Sequence, residues 1–111
     1  MNKVIEDGQV AVLYSPGWGA GWYTWNNKKE LLFDPTLVEL VKLKNSSSKE
    51  DVSNIVKRIE DRAYEIEPDG YFGGALDLDI YWLEEDTQFF IDEYDGSESI
   101  TTRENTKWLT A

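Results

Sequence analysis

Carboxylates are the most abundant side chains in this chain that could take part in acid–base catalysis. The 111 residues contain 22 Asp and Glu but no histidine and no cysteine. Serine–histidine triads, cysteine nucleophiles and the usual zinc ligand sets are therefore excluded. A glycosidase-like carboxylate pair is compatible with the composition. Acids on a solvated strand face are usually only solvated, however, so we expect no catalytic residue, no metal ion and no cofactor.

The acidic residues are unevenly distributed along the chain. Between Ala63 and Thr102 there are twelve Asp or Glu and no Lys or Arg, and the net charge of the whole chain is −11. Such a surface repels phosphate backbones, so we expect no direct binding to nucleic acid. It would attract a basic protein surface, although acidity also serves solubility alone. The residues predicted to contact such a partner are Asp77, Asp79, Glu84, Glu85, Asp86, Asp92, Glu93, Asp95 and Glu98.

The segment "SPGWGAGWYTWN", residues 15–26, combines three glycines with three tryptophans. Its spacing, Gly17-x-Gly19-x-Gly21, is not the dinucleotide fingerprint, which is G-x-G-x-x-G at the start of a helix. The simpler interpretation is a tight turn between two strands, with the tryptophans packed in a core. The alternative is an aromatic-walled pocket whose glycine N–H groups bind a polar ligand. Trp18, at the predicted tip of the loop, is the residue that most favours the pocket.

A second unusual segment, "DEYDGSES", spans residues 92–99. It has the composition of a calcium loop, but Tyr94 breaks the D-x-[DN]-x-[DN]-G signature. Asp95-Gly96 predicts a hairpin turn instead. If the two segments meet across neighbouring strands, they would form one pocket for a small molecule or nucleotide, although nearby acids disfavour phosphate. The ligand-binding residues of this alternative are Trp18, Gly19, Gly21, Trp22, Trp25, Tyr94, Ser97 and Ser99.

The first half of the chain predicts two strands followed by two helices. "QVAVLY", 9–14, has the length and composition of a strand, and a short first strand ends near Gly8. "GWYTWN" is rich in β-prone aromatics and predicts a continuing strand. Asp34 as N-cap and Pro35 at the first helical position predict a helix. Ser48 and Asp51 resemble a capping box for a second, amphipathic helix that ends at "EPDG", 67–70.

The second half of the chain predicts further strands of an antiparallel sheet. In "ALDLDIYWL", 75–83, the apolar residues alternate with Asp77, Asp79 and Tyr81, which predicts a strand with one wet, acidic face. "QFFIDEYD" and "SITTR" predict two more strands, and Trp108 with Leu109 is predicted to dock the terminus. The fold class is therefore α+β: a small antiparallel sheet of about four to five strands, in the order β-β-α-α-β-β, packed on two helices in a single domain, 1–111. No apolar run approaches the ~20 residues of a membrane span, and "MNKVIEDGQV" lacks the apolar region of a signal peptide, so we expect a cytoplasmic protein.

The segments "PGWGAGWYTWN" and "IDEYDGSESI" together resemble a family of small uncharacterised proteins of phages and prophages. That family pairs a GAGWxTW motif near the start with an EYDGxE motif near the end. "LLFDPTLVELV" and "FGGALDLDIYW" are similar to its helix and its strand, and Tyr23 stands where the family commonly has Ser. The resemblance implies no reaction. The matching residues are Gly19, Ala20, Gly21, Trp22, Thr24, Trp25, Glu93, Tyr94, Asp95, Gly96 and Glu98.

Small acidic phage proteins often act by binding a host protein, and some present carboxylates where a nucleic acid presents phosphates. The resemblance therefore implies an inhibitor of a bacterial host protein, for instance a defence nuclease, that binds through an acidic and nucleic-acid-mimicking surface. The alternative function is sequestration of a small molecule or nucleotide in the pocket described above. A homodimer is compatible with either function.

Overall fold

The computed structural model describes residues 2–17 and 21–102. Helices and strands are segregated along the chain, which confirms the α+β prediction. The elements are β1 (Ile5–Glu6), β2 (Gln9–Tyr14), α1 (Tyr23–Asn26), α2 (Glu30–Phe33), α3 (Pro35–Asn45), α4 (Lys49–Ile66), a 3-10 turn (Ala75–Asp77), β3 (Asp79–Glu84), β4 (Phe89–Tyr94) and β5 (Ser97–Thr102).

The strands form two antiparallel sheets rather than the single sheet expected. One has the order β1-β2-β3, and the other is the β4–β5 hairpin. β3 pairs with β2, with Asp79 opposite Tyr14 and Glu84 opposite Gln9, instead of pairing with β4. The reason lies in β2, whose apolar side chains alternate between two faces that both need covering.

β2 is the centre of the fold because both of its faces are buried. Ala11 and Leu13 pack with α3 and α4, while Val10 and Val12 pack with α2 and the inner face of the β4–β5 hairpin. The molecule therefore has three layers: the helix pair, the three-stranded sheet and the hairpin. β2 is a continuous apolar run, and such a run is typical of a strand that lies in a middle layer with both faces buried.

The face of β3 that is predicted to be solvent-exposed is partly covered by the β4–β5 hairpin. Ile80 and Trp82 face the helices, as the alternation predicts. On the opposite face, Tyr81 and Leu83 pack against the hairpin layer. The strand also begins at Asp79, because residues Ala75–Asp77 form the 3-10 turn and leave Leu76 56% exposed.

Two short hairpin turns have the sequence Asp-Gly, and the one at Asp95-Gly96 confirms the turn predicted there. Asp7-Gly8 joins β1 to β2, and Asp95-Gly96 joins β4 to β5. Both residues of each turn have positive φ, between 50° and 83°. This conformation is that of the two-residue turn whose twist matches antiparallel strands, and Asp-Gly is one of its preferred pairs.

The helix predictions are confirmed for α3 and α4, with one correction to the capping of α4. The Asp34 side chain accepts a hydrogen bond from Leu37 N at 3.0 Å, and Pro35 occupies the first helical position. At α4, Ser48 Oγ donates to the Asp51 carboxylate at 3.1 Å and does not cap the backbone. The helix is held instead by its apolar face, because Ile55, Ile59 and Ala63 are buried against α3 and β2.

The strand predicted for "GWYTWN" is wrong. Residues Tyr23–Asn26 form a single helical turn, α1, which ends where Asn27 adopts φ of 55°. The next helical turn, α2, buries Leu31, Leu32 and Phe33. No helix within the described residues is long and apolar enough to cross a membrane. Trp108 and Leu109 lie outside the described residues.

Candidate functional site

The two unusual sequence segments meet at a single buried carboxylate, that of Glu98. Only 1% of Glu98 is exposed. Its Oε1 accepts a hydrogen bond from Ser15 N at 2.9 Å. Its Oε2 accepts three more: from Trp22 N at 3.1 Å, Thr24 N at 2.9 Å and Thr24 Oγ1 at 2.7 Å. A glutamate on β5 therefore binds the end of β2 and the start of α1 at once.

This carboxylate supplies the cap that α1 lacks locally. The first N–H groups of a helix have no partner within the helix. Trp22 stands at the N-cap and provides no side-chain acceptor, so Glu98 accepts the N–H groups of Trp22 and Thr24 from a distant strand. A buried carboxylate with unmet hydrogen bonds would be strongly unfavourable, and the four donors here remove that penalty without any cation from the described residues.

Close backbone packing surrounds this carboxylate. Glu98 N donates to Ser15 O at 2.8 Å, and Ser15 Oγ donates to Gly74 O at 3.0 Å. A Cβ on Gly74 would lie 2.5 Å from Gly21 O, and one on Gly21 would lie 2.6 Å from Cγ of Trp25. These two glycines therefore allow backbone and rings to approach closely. On the Cβ side of Gly21, the ring of Trp25 occupies the space that a ligand would need.

The tryptophans of the first segment have different environments. Trp22 is fully buried, and its Nε1 donates to Leu31 O at 2.8 Å. A buried ring cannot stack on a ligand, which corrects the proposed ligand-binding role of Trp22. Trp25 is 49% exposed and stacks on Tyr71, with the ring centroids 5.0 Å apart. Trp18 and Gly19 lie outside the described residues.

The other proposed ligand residues belong to the hairpin. Tyr94 is 70% exposed, and Ser99 is also exposed. Ser97 Oγ donates to Pro16 O at 2.7 Å, which adds a second tie between the hairpin and the end of β2. The two segments thus come together, but Glu98 and its donors fill the place where they meet.

The predicted acidic residues do not form one continuous sheet face. Glu84 and Asp79 lie opposite the two ends of β2, five residues apart along β3, which corresponds to roughly 17 Å. Glu84, Glu85 and Asp86 therefore lie at one end of the sheet. Because Glu98 bonds to Ser15, just after Tyr14, the Asp95-Gly96 turn lies at the other end. Glu98 is itself buried, which removes it from any contact surface.

The acids at the second end differ in how their charge is balanced. Asn45 Nδ2 donates to the Asp79 carboxylate at 3.2 Å. Asp77 and Asp79 also lie near Lys44 and favour the charged form of its side chain. Burial nevertheless lowers the pKa of Lys44, and burial together with Asp79 raises the pKa of Tyr14.

We use the term hairpin tip for the carboxylates of Asp92, Glu93 and Asp95 together with the ring of Tyr94. No Lys or Arg of the described residues forms an ion pair with these carboxylates. Glu93 accepts a hydrogen bond from Gly96 N within the turn. The hairpin-tip carboxylates therefore have no ion-pair partner among the described residues, whereas Lys44 lies near Asp77 and Asp79 without forming an ion pair with either.

A groove between α1, α2 and β4 has no counterpart in the local sequence patterns. It has a volume of about 570 Å³. Its residues come from the N-terminus, the region around α2 and β4, so no local pattern in the sequence unites them. They are Lys3, Tyr23, Lys29, Leu32, Phe33, Phe89, Phe90 and Ile91. In the described part of the chain, no cluster of three or more metal-ligating side chains occurs.

Comparisons of the chain with protein-family models, with curated proteins and with solved structures give no match.

Proposed function

We propose that the protein acts by binding another protein through the hairpin tip, and that the partner presents a basic surface there. The observation that carries this proposal is the set of three carboxylates with no ion-pair partner among the described residues. They lie within a stretch of forty residues, 63–102, that contains no Lys or Arg. Complementary charge of this kind speeds association and excludes acidic competitors.

Aromatic side chains beside these acids supply the other half of an interface. Phe90 and Tyr94 lie on the outer face of β4 with Asp92 between them, and they are 54% and 70% exposed. Tyrosine and other aromatics are enriched among the residues that carry most of the binding energy in protein interfaces. The outer face of the hairpin therefore combines apolar anchors with carboxylates that set the preference for a basic partner.

The hairpin is also held in place before any partner arrives. Glu98 accepts hydrogen bonds from Ser15 N and Thr24 N, and Ser97 Oγ donates to Pro16 O, so the tip is fixed relative to the end of β2. A preorganised surface loses less conformational entropy on binding, so more of the contact energy is realised as affinity. This favours a role as a rigid docking element.

The resemblance to phage and prophage proteins supplies the setting for this proposal. In that setting the partner is a bacterial host protein whose basic surface is occupied and inhibited, for instance a defence nuclease. The proposal is restricted to one end of the molecule, because the carboxylates of the sheet are divided between two ends. A mimic of a long nucleic-acid backbone would require a larger continuous face.

The test is capture of partners from a bacterial lysate by the immobilised chain and by two charge-matched variants. One variant carries Asp92→Asn, Glu93→Gln and Asp95→Asn at the hairpin tip. The control carries Glu84→Gln, Glu85→Gln and Asp86→Asn at the opposite end, so it loses the same number of charges. A second pair compares Tyr94→Ala with Tyr64→Ala, a 45% exposed tyrosine on α4.

We expect one basic protein to be recovered by the unmodified chain and by both controls. It should be lost with either hairpin variant and at high salt, because the interaction is partly electrostatic. Recovery of the same proteins by the hairpin-tip variant and the unmodified chain would refute the proposal. So would equal loss with the two charge-matched variants, since net charge alone would then explain the binding.

A further inference from the structure

We propose that the groove between α1, α2 and β4 is a binding site for a small planar aromatic anion. This site contains none of the hairpin-tip residues, although it shares Phe90 with the outer face of the hairpin, and it shares no residue with the pocket predicted from the sequence. Its volume of about 570 Å³ lies within the range of ~300–1,000 Å³ typical of small-molecule sites.

The groove has a predominantly aromatic wall. Phe33 and Phe89 meet edge to face, with their ring centroids 6.3 Å apart, and they form its floor together with Leu32 and Ile91. Tyr23 and the half-exposed Phe90 complete the lining. Rings in such an arrangement bind another flat ring through both apolar contact and ring–ring geometry. The shape and composition of this wall favour a planar aromatic ligand.

The charge of the groove is opposite to that of the molecule as a whole. The chain carries a net charge of −11, yet the charged residues that line the groove are Lys3 and Lys29. The Lys3 ammonium lies 4.6 Å from the centroid of the Phe33 ring. Neither lysine forms an ion pair with a carboxylate of the described residues. Two such cations at the edge of an aromatic wall favour a ligand that carries a negative group.

The surroundings also indicate where the negative group of the ligand would lie. A smaller pocket of about 110 Å³ shares Lys3, Phe33 and Phe89 with the groove but also contains Glu84 and Asp86. A ligand anion near that pocket would be repelled by these two acids. Its negative group is therefore expected to lie beside Lys29, on the side away from them.

The test measures binding of two fluorescent probes with the same rings to the full chain. One is the anionic 8-anilinonaphthalene-1-sulfonate, and the other is the neutral N-phenyl-1-naphthylamine. The Lys29→Gln variant removes the cation at the groove, and Lys57→Gln on α4 is the matched control. Chemical shifts of backbone amides, recorded with the sulfonate probe, show where it binds.

We expect saturable binding of the sulfonate that shifts the amides of residues 89–91. Lys29→Gln should weaken it about fivefold, and Lys57→Gln should leave it unchanged. The neutral probe should lose less than about twofold with Lys29→Gln, because it has no charge to pair. Absence of saturable binding, shifts elsewhere, equal weakening by both lysine variants, or equal weakening of both probes would each overturn the proposal. None of these results depends on the hairpin tip, so the two proposals can fail separately.

Discussion

Asp34 and Glu98 are both carboxylates at the start of a helix, but they reach it by different routes. Asp34 caps α3 three residues away and is paired with Arg62, whose Nη2 lies 2.7 Å from its Oδ1. Glu98 caps α1 from 74 residues away, and its donors are backbone N–H groups and a hydroxyl. The first cap is a local feature with a counter-charge, and the second is a tertiary contact made entirely with neutral donors.

The difference between these caps explains how the two sequence motifs are related. A remote cap can form only after β5 has been placed beside the end of β2, so α1 depends on the hairpin and the hairpin depends on α1. Trp22, Thr24 and Glu98 are therefore parts of one structural joint. This assigns a physical role to motif residues that the sequence alone presents as candidates for ligand binding.

The largest effect is expected for Glu98→Gln. The amide places an N–H donor where a buried oxygen now accepts hydrogen bonds, so the variant should lose about 2–4 kcal/mol of unfolding free energy. Urea unfolding of this variant and of Glu85→Gln, an exposed residue with the same chemical change, provides the measurement. Equal stability of the two variants would contradict the role assigned to Glu98.

A smaller effect is expected for Gly74→Ala, which tests the close packing around the joint. The added Cβ would lie 2.5 Å from the backbone oxygen of Gly21, so the backbone must move, at a cost of about 2 kcal/mol. In Gly73→Ala the clash is with the ring end of Tyr71, a half-exposed side chain that can rotate away. Urea unfolding should therefore show a clear loss for position 74 only, and a loss of the same size at position 73 would refute this explanation.

Asp34→Asn should cost about 1–2 kcal/mol at neutral pH, since it weakens a cap and removes the counter-charge of Arg62. Burial raises the pKa of Asp34, but the hydrogen bonds from Arg62 and Leu37 outweigh it and hold the pKa below the ordinary 3.8. A lowered pKa in the folded state means that the charge stabilises the protein above pH 3.8 and that this contribution is lost as the pH falls below it.

The pH dependence of this variant is the corresponding measurement. Unfolding free energies of Asp34→Asn and of the unmodified chain should differ most at neutral pH and converge as the pH falls below 3.8. A constant difference across this range would show that the charge of Asp34 is not what stabilises α3.

The smallest effect is expected for Ser48→Ala, at the start of α4. Because Ser48 bonds to Asp51 and not to a backbone N–H group, its loss should change stability by less than about 0.5 kcal/mol. Thermal unfolding is the measurement, with Asp34→Asn as the positive control. A loss as large as that of Asp34→Asn would mean that Ser48 is a true cap after all.

These comparisons also show which parts of the fold the sequence could predict. The Asp34-Pro35 helix start and the Asp95-Gly96 turn depend on neighbours within a few residues, so local sequence patterns predict both correctly. The aromatic residues of "GWYTWN" favour a strand, whereas its helical turn depends on Glu98, which no local rule detects.

The pairing of β3 and the groove were missed for the same reason. β3 pairs with β2 although the paired residues are 65 to 75 positions apart, from Tyr14 with Asp79 to Gln9 with Glu84. The two apolar faces of β2 favour this pairing only when the hairpin is available to cover the second face. The groove takes Lys3, Phe33 and Phe89 from three separate segments. The sequence shows directly that the chain is acidic. Only the strand register shows that the acidic residues are divided between the two ends of the sheet.

The most direct test of the joint is a double-mutant cycle between Glu98 and Thr24. Unfolding free energies are measured for the unmodified chain, Glu98→Gln, Thr24→Val and the double variant. Because Thr24→Val removes the hydrogen bond of 2.7 Å from Thr24 Oγ1 to Glu98 and keeps the bond from the backbone N–H group, we predict a coupling energy of about 1–2 kcal/mol for the side-chain contact. Strictly additive effects would contradict the account, since the two motifs would then not be joined through this carboxylate.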